Sequence, residues 1–193
     1  MKLLIFSDTH GRTSLLNAVI KKAKHAEMLV CAGDITVFEE GLAMMLRKLN
    51  QIGKPVLIIP GNHESPDLLK AASRNYENII YIHGKAYFKD GYCFIGFGSG
   101  GFSIKDKEFE NFARKLKIPK ENRIVLVTHA PPYGTKVDHI WGHHGNKSYR
   151  HFIEKMKPII AVSGHLHETA GREDRIGKTR ILNPGPKGKI VEI

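Results

Sequence analysis

The chain is poor in cysteine: only Cys31 and Cys93 occur among its 193 residues. Each lies inside an apolar run, Leu-Val-Cys-Ala-Gly and Tyr-Cys-Phe-Ile-Gly, where a free cysteine serves as a small hydrophobe. Without paired spacing, neither a disulfide framework nor a thiolate metal site is expected. Long hydrophobic runs are missing too. Nothing approaches the ~20 apolar residues that cross a bilayer, and the opening Met-Lys-Leu-Leu-Ile-Phe is interrupted by Ser7 and Asp8. A soluble, unprocessed, cytoplasmic protein with no membrane association is therefore expected. Acidic residues are scarce, 19 against 30 Lys and Arg, for a formal net charge of +11. That excess favours an anionic partner, either nucleic acid or a phosphorylated small molecule. The basic residues are scattered, however, and the tightest group, Lys21, Lys22 and Lys24, reads as a solvated helix face, so nucleic acid is not favoured. Internal repeats and low-complexity tracts are absent. With 41% apolar content, the chain reads as a single domain over 1–193, large enough to bury a core unaided.

What the sequence does have is a series of short apolar runs that end in polar residues. Leu3–Phe6 runs into Ser-Asp-Thr-His, Met28–Ala32 into Gly-Asp, and Val56–Ile59 into Pro-Gly-Asn-His; later, Ile124–Val127 runs into Thr-His and Ile159–Val162 into Ser-Gly-His. Continuous rather than alternating runs predict strands buried on both faces. Between them, apolar residues at helical spacing predict helices over 13–24, with Thr13 or Ser14 as the cap, and over 39–50. Further helices are expected near 67–73, 106–116 and 147–156. Segments 85–97 and 168–193 read as hairpins, turning at Asp90-Gly91 and at Ile176-Gly177-Lys178. The result is an α/β fold whose sheets mix parallel and antiparallel strands.

The polar strand ends carry one consistent chemistry: Asp8 and His10, Asp34, Asn62 and His63, His129, then His165 and His167. In an open α/β sheet such ends converge on one crevice. Asp8-Thr-His10 and His165-Leu-His167 have i, i+2 spacing, which in extended backbone turns both members to the same side. Gly33, Gly61 and Gly164 stand beside the set, where glycine lets backbone crowd a site. Nitrogen and oxygen donors without thiolate suit manganese, iron, zinc or nickel. So many donors exceed what one ion needs and imply two ions sharing a carboxylate.

Written in order, D-x-H, G-D, G-N-H-E, H and G-H-x-H, these residues resemble the calcineurin-like metallophosphoesterase pattern from residue 8 to residue 167. The resemblance implies a four-layer α/β/β/α sandwich of two mixed sheets flanked by helices. It further implies a dinuclear metal centre, with manganese foremost and iron, zinc or nickel open. By that likeness Asp8, His10 and His167 hold one ion, Asp34 bridges, and Asn62, His129 and His165 hold the other. His63 is implied not as a ligand but as the catalytic group over the substrate phosphate, with Asp67 or Glu64 orienting it, and a metal-bridging hydroxide as nucleophile. The run after Asp34, Ile-Thr-Val-Phe-Glu-Glu, lacks the Asp-Arg-Gly of the protein serine/threonine phosphatases, and the length leaves no room for the capping domain of the repair nucleases. The segment from Thr128 to Gly171 is similar to the small phosphodiesterase-type branch, placing His143 and His144 beside the substrate. Trp141 and Tyr133 could stack on a nucleobase. Hydrolysis of phosphodiesters of small nucleotides or similar molecules is the expectation, with a phosphomonoesterase, or a silent nucleic-acid-binding scaffold, as alternatives. The oligomeric state stays open, a homodimer through the C-terminal hairpins being one option.

Overall fold

The computed structural model describes residues 1–193, which build two sheets packed face to face and covered on their outer sides by helices. The strands are β1 (Lys2–Phe6), β2 (Met28–Cys31), β3 (Val56–Ile58), β4 (Ile79–Tyr81), β5 (Lys85–Lys89), β6 (Tyr92–Phe97), β7 (Arg123–Thr128), β8 (Ile160–Val162), β9 (Glu173–Ile176), β10 (Thr179–Leu182) and β11 (Lys189–Glu192). The helices are α1 (Thr13–Ala23), α2 (Leu42–Asn50), α3 (Pro66–Ser73), α4 (Lys107–Lys115) and α5 (Lys147–Met156). The first sheet has the order β11-β1-β2-β3-β4 and the second β5-β6-β7-β8-β10-β9. Within each, the central strands run parallel; β11, β5 and β9 attach antiparallel at edges.

Strand alternation explains why the apolar runs are unbroken. Along β1, Leu4 and Phe6 join a cluster under α1 and α2, while Leu3 and Ile5 face the second sheet. In β7, Val125 and Val127 face inward between the sheets, while Ile124 and Leu126 meet Phe109, Tyr149 and Phe152 of α4 and α5. Both faces are buried, so both sets of side chains must be apolar. Three clusters in four layers make the α/β/β/α sandwich.

Several local expectations shift. The second helix begins at Leu42 rather than 39, because Phe38, Glu39 and Gly41 take positive φ values of 46°, 61° and 71°. The first is preceded by Arg12 without any side-chain cap; Thr13 is already helical. Residues 168–193 are not one hairpin arrangement: β9 and β10 turn at Gly177, but β10 lies parallel to β8, and β11 crosses to the other sheet to pair with β1. No helix is long and apolar enough to cross a membrane.

Candidate metal centre

Five parallel strands, β1, β2 and β3 of one sheet and β7 and β8 of the other, end on the same side of the molecule, and backbone bonds stitch the loops that follow. Asp8 N–H donates to Gly33 O and His10 N–H to Asp34 O, both at 3.0 Å, while Gly164 N–H donates to His129 O at 2.9 Å. The turns are abrupt. Asp8, His10, Asp34 and His165 all sit in left-handed backbone, with φ of 58°, 46°, 52° and 69°. For a residue with a Cβ that conformation costs on the order of 1–3 kcal/mol, and such strain collects where geometry serves a site.

These turns bring all seven proposed donors together. His10 Nε2 lies 2.9 Å from His167 Nε2, and His167 Nε2 lies 3.8 Å from Asp8 Oδ1. On the other side, Asn62 Oδ1 is 3.0 Å from His129 Nε2 and 2.8 Å from His165 Nδ1. Asp34 Oδ2 stands between the two sets, 3.8 Å from His10 Nε2 and 3.3 Å from His129 Nε2, while Asp34 Oδ1 is occupied by the His63 N–H at 3.0 Å. One carboxylate oxygen thus faces both groups of donors.

Two features orient this set. The buried His129 donates Nδ1–H to Ala32 O at 2.8 Å, which turns Nε2 and its lone pair toward Asp34, as metal-binding imidazoles require. The buried Glu64 carboxylate accepts from the N–H groups of Asp34, Gly61 and Thr36 and from the Thr36 hydroxyl, at 2.8–3.0 Å. It therefore ties the Asp34 loop to the Asn62 loop. Neither Glu64 nor Asp67 hydrogen-bonds the His63 ring, so the expectation that one of them orients it is corrected: His63 leans instead on Phe38, ring centroids 4.8 Å apart.

The electrostatics suit cations. Asp8 and Asp34 are buried, and the ionisable groups that reach their oxygens are histidines, with no lysine or arginine among them. Burial alone would raise the Asp34 carboxyl, but the hydrogen bond and charge of His129 hold it at about 2; conversely, burial opposes the His129 proton and Asp34 retains it, raising its pKa to about 9. A proton on His129 occupies the place where a metal would sit. His165 goes the other way, to about 4, through burial and the neighbouring His129. Clusters of histidine and carboxylate atoms within 4.8 Å of one another comprise Asp8, His10 and His167; His10, Asp34 and His63; and Asp34, His129 and His165. Buried carboxylates with no lysine or arginine beside them, among converging histidine nitrogens, fit a pair of divalent ions that would displace the His129 proton.

The remaining expected residues separate. His144 donates Nε2–H to Ile140 O at 2.9 Å and walls a cavity of about 480 Å³ together with His165, His167, Phe102 and Trp141. His143 points into a neighbouring depression of about 470 Å³ with Lys136, His139 and Arg172, its Nδ1 2.8 Å from Asp138 Oδ1. Tyr133 lies beneath the Lys147 ammonium and beside His143, away from that cavity's walls. Sequence reasoning passed over Asp138, whose buried carboxylate also accepts from the N–H groups of Gly134, Thr135 and Gly145 and so orders the loop carrying His143 and His144. Aspartate four residues after the turn glycine Gly134 was the available signal. Phe38 carries no role in the sequence pattern, where nothing local distinguishes it, yet it packs on the His63 ring.

Residues 1–169 match the family model of the calcineurin-like phosphoesterases. An uncharacterized protein of Methanocaldococcus jannaschii is 32% identical over 99% of this chain and 91% of its own length. Among solved structures, TT1561 of Thermus thermophilus superposes with a TM-score of 0.80 at 18% identity, covering 95% of this chain and 88% of that one. A protein described as a novel archaeal phosphodiesterase gives 0.53 at 17% identity, covering 96% and 84%. At these identities the two structures speak for the fold.

Proposed function

Because the chain belongs to the calcineurin-like phosphoesterase family, whose members use a dinuclear divalent metal centre, we propose that it hydrolyses phosphodiesters of small molecules, nucleotides being one candidate class. The carrying observation is Asp34 Oδ2, which faces His10 on one side and His129 on the other. Asp8, His10 and His167 would hold one ion, Asn62, His129 and His165 the second, and Asp34 both. The chemistry such a pair supplies when bound is neutralisation of phosphate charge and acidification of a water, with manganese the first ion to test.

The chain's own groups supply position and a proton. His129, fixed by Ala32 O, and Asp34, fixed by the His63 N–H, keep the donors aimed without reorganisation. His63 stands at the edge of the donor set, its ring 5.0 Å from that of His10 and its Nδ1 without a protein hydrogen-bond partner. Its assigned role is to donate a proton to the leaving oxygen, work suited to imidazole near neutral pH. His144 borders the path along which the ester would lie; His143 sets the shape of the adjoining depression.

The preference for diesters rests on charge. The cavity beside His165 and His167 contains no lysine or arginine and includes Glu168. A dianionic monoester would gain from a basic clamp there, whereas a monoanionic diester needs less neutralisation. The archaeal phosphodiesterase of the same fold is consistent with that choice. The test is hydrolysis of bis-para-nitrophenyl phosphate beside the monoester, by metal-stripped protein resupplied with manganese. Diester turnover that vanishes on chelation is expected. Preference for the monoester would replace the diester reading with a phosphatase, and silence on both would remove the catalytic one.

A further inference from the structure

Of the eight large apolar side chains the fold leaves exposed, five lie on three loops that follow strand ends at the metal centre: Val37 and Phe38 before α2, Phe102 and Ile104 before α4, and Trp141 before α5. Two of them touch the site directly. Phe38 packs on His63, and Phe102 packs on His165 with ring centroids 4.5 Å apart. Trp141, whose side chain is fully exposed, walls the same cavity as Phe102, His165 and His167.

The exposure of Trp141 is built in. Its backbone φ is 56°, Ile140 N–H closes the turn on Gly142 O at 2.8 Å, and the buried Asp138 carboxylate pins both flanks of the loop. An ordered loop in a strained conformation thus holds the largest apolar side chain of the protein in water, at a cost the free protein does not recover. Stacking with a ligand ring would recover it.

Resting on the phosphoesterase reading, we propose that Phe102 and Trp141 form a specificity subsite for a flat aromatic group carried by the phosphate ester. The ring lies against Trp141 and Phe102 while the phosphorus end reaches the donor set. The two aromatic faces of Phe102 and Trp141 favour a planar group over an aliphatic chain, and Glu168 with no basic residue in the cavity disfavours a second anionic one.

Para-nitrophenyl phenylphosphonate and para-nitrophenyl methylphosphonate share a leaving group and a charge and differ only in the group that remains on phosphorus. The manganese-loaded protein should turn over the phenyl compound with kcat/KM higher by about tenfold or more, the order expected of aromatic contacts, and Trp141→Ala or Phe102→Ala should bring the ratio toward one. Trp141 is the only tryptophan of the chain, so its emission reports the subsite independently of catalysis. Phenylphosphonate, which has no scissile ester, should change that emission saturably, and methylphosphonate should not. A saturable response without hydrolysis of any ester would uphold the subsite and overturn the phosphoesterase reading. Hydrolysis with a phenyl-to-methyl ratio near one, or no response to phenylphosphonate, would overturn the subsite. Concentration-dependent dimerisation abolished by Trp141→Ala would also overturn it, since a second copy would then cover the rim.

Discussion

His63 touches the donor set through its backbone and stands beside it through its ring, so its two halves have separable functions. The N–H holds Asp34 Oδ1 at 3.0 Å and survives substitution; the imidazole does not. His63→Ala is therefore expected to retain both ions by elemental analysis while turnover falls by roughly 10²–10⁴, the range for an acid–base group; loss of metal would make His63 a ligand instead. Asp34→Asn is the opposite case. An amide oxygen carries no net charge for two cations, and the neighbouring His129 loses the anion that retains its proton. The variant should bind at least one ion fewer and be inactive, and full metal content with full activity would remove Asp34 from the bridging position.

Loops carry the site, and glycines decide how close they come. A Cβ on Gly61 would fall 1.9 Å from Asp34 Oδ1 and 2.5 Å from Asp34 N, and one on Gly164 would fall 2.5 Å from Asp8 Oδ2. Gly61→Ala must displace the central carboxylate, so it should weaken metal binding by about 10–100-fold, as loss of a supporting contact does. Calorimetric titration with manganese checks this, and unchanged affinity would show that the loop yields at no cost. Most strands and the convergence of the seven proposed donors were legible in the sequence because each couples two signals in one short stretch, an apolar run and the polar cluster that stops it. Where the signals part, legibility stops. β4 is three residues long and only partly buried, and no motif marks it. Residues 37–41 carry Val37, Phe38 and a run of acids, which imitates an approach to a helix, yet positive φ values at Phe38, Glu39 and Gly41 turn the chain the other way. Glu64 was marked beside His63 only through the family pattern; besides the nearby Gly61 N–H, its contacts are the N–H groups of Asp34 and Thr36, about thirty positions earlier.

The whole molecule holds an anionic centre inside a strongly basic body, and ion binding should register in its global stability. At a free manganese concentration about 100 times Kd, binding adds about 2.7 kcal/mol. For a chain of this size each kcal/mol moves Tm by about 2–4 °C. Thermal melting should then rise by about 5–11 °C on adding manganese to stripped protein, similarly in His63→Ala and much less in Asp34→Asn. A flat response in the native protein would mean that the donors bind no manganese at these concentrations. The same sandwich is closed by its outermost segments, for Lys2–Ile5 pair with Lys189–Glu192, and Met1 and Ile193 exchange backbone hydrogen bonds at 3.0 Å. During synthesis β1 leaves the ribosome first among the strands, but its outer edge stays open until residue 192 has been added. The strand that anchors Asp8 is thus closed only when β11 docks, and refolding should be governed by that long-range chain closure, which is slow because the paired segments are far apart in sequence.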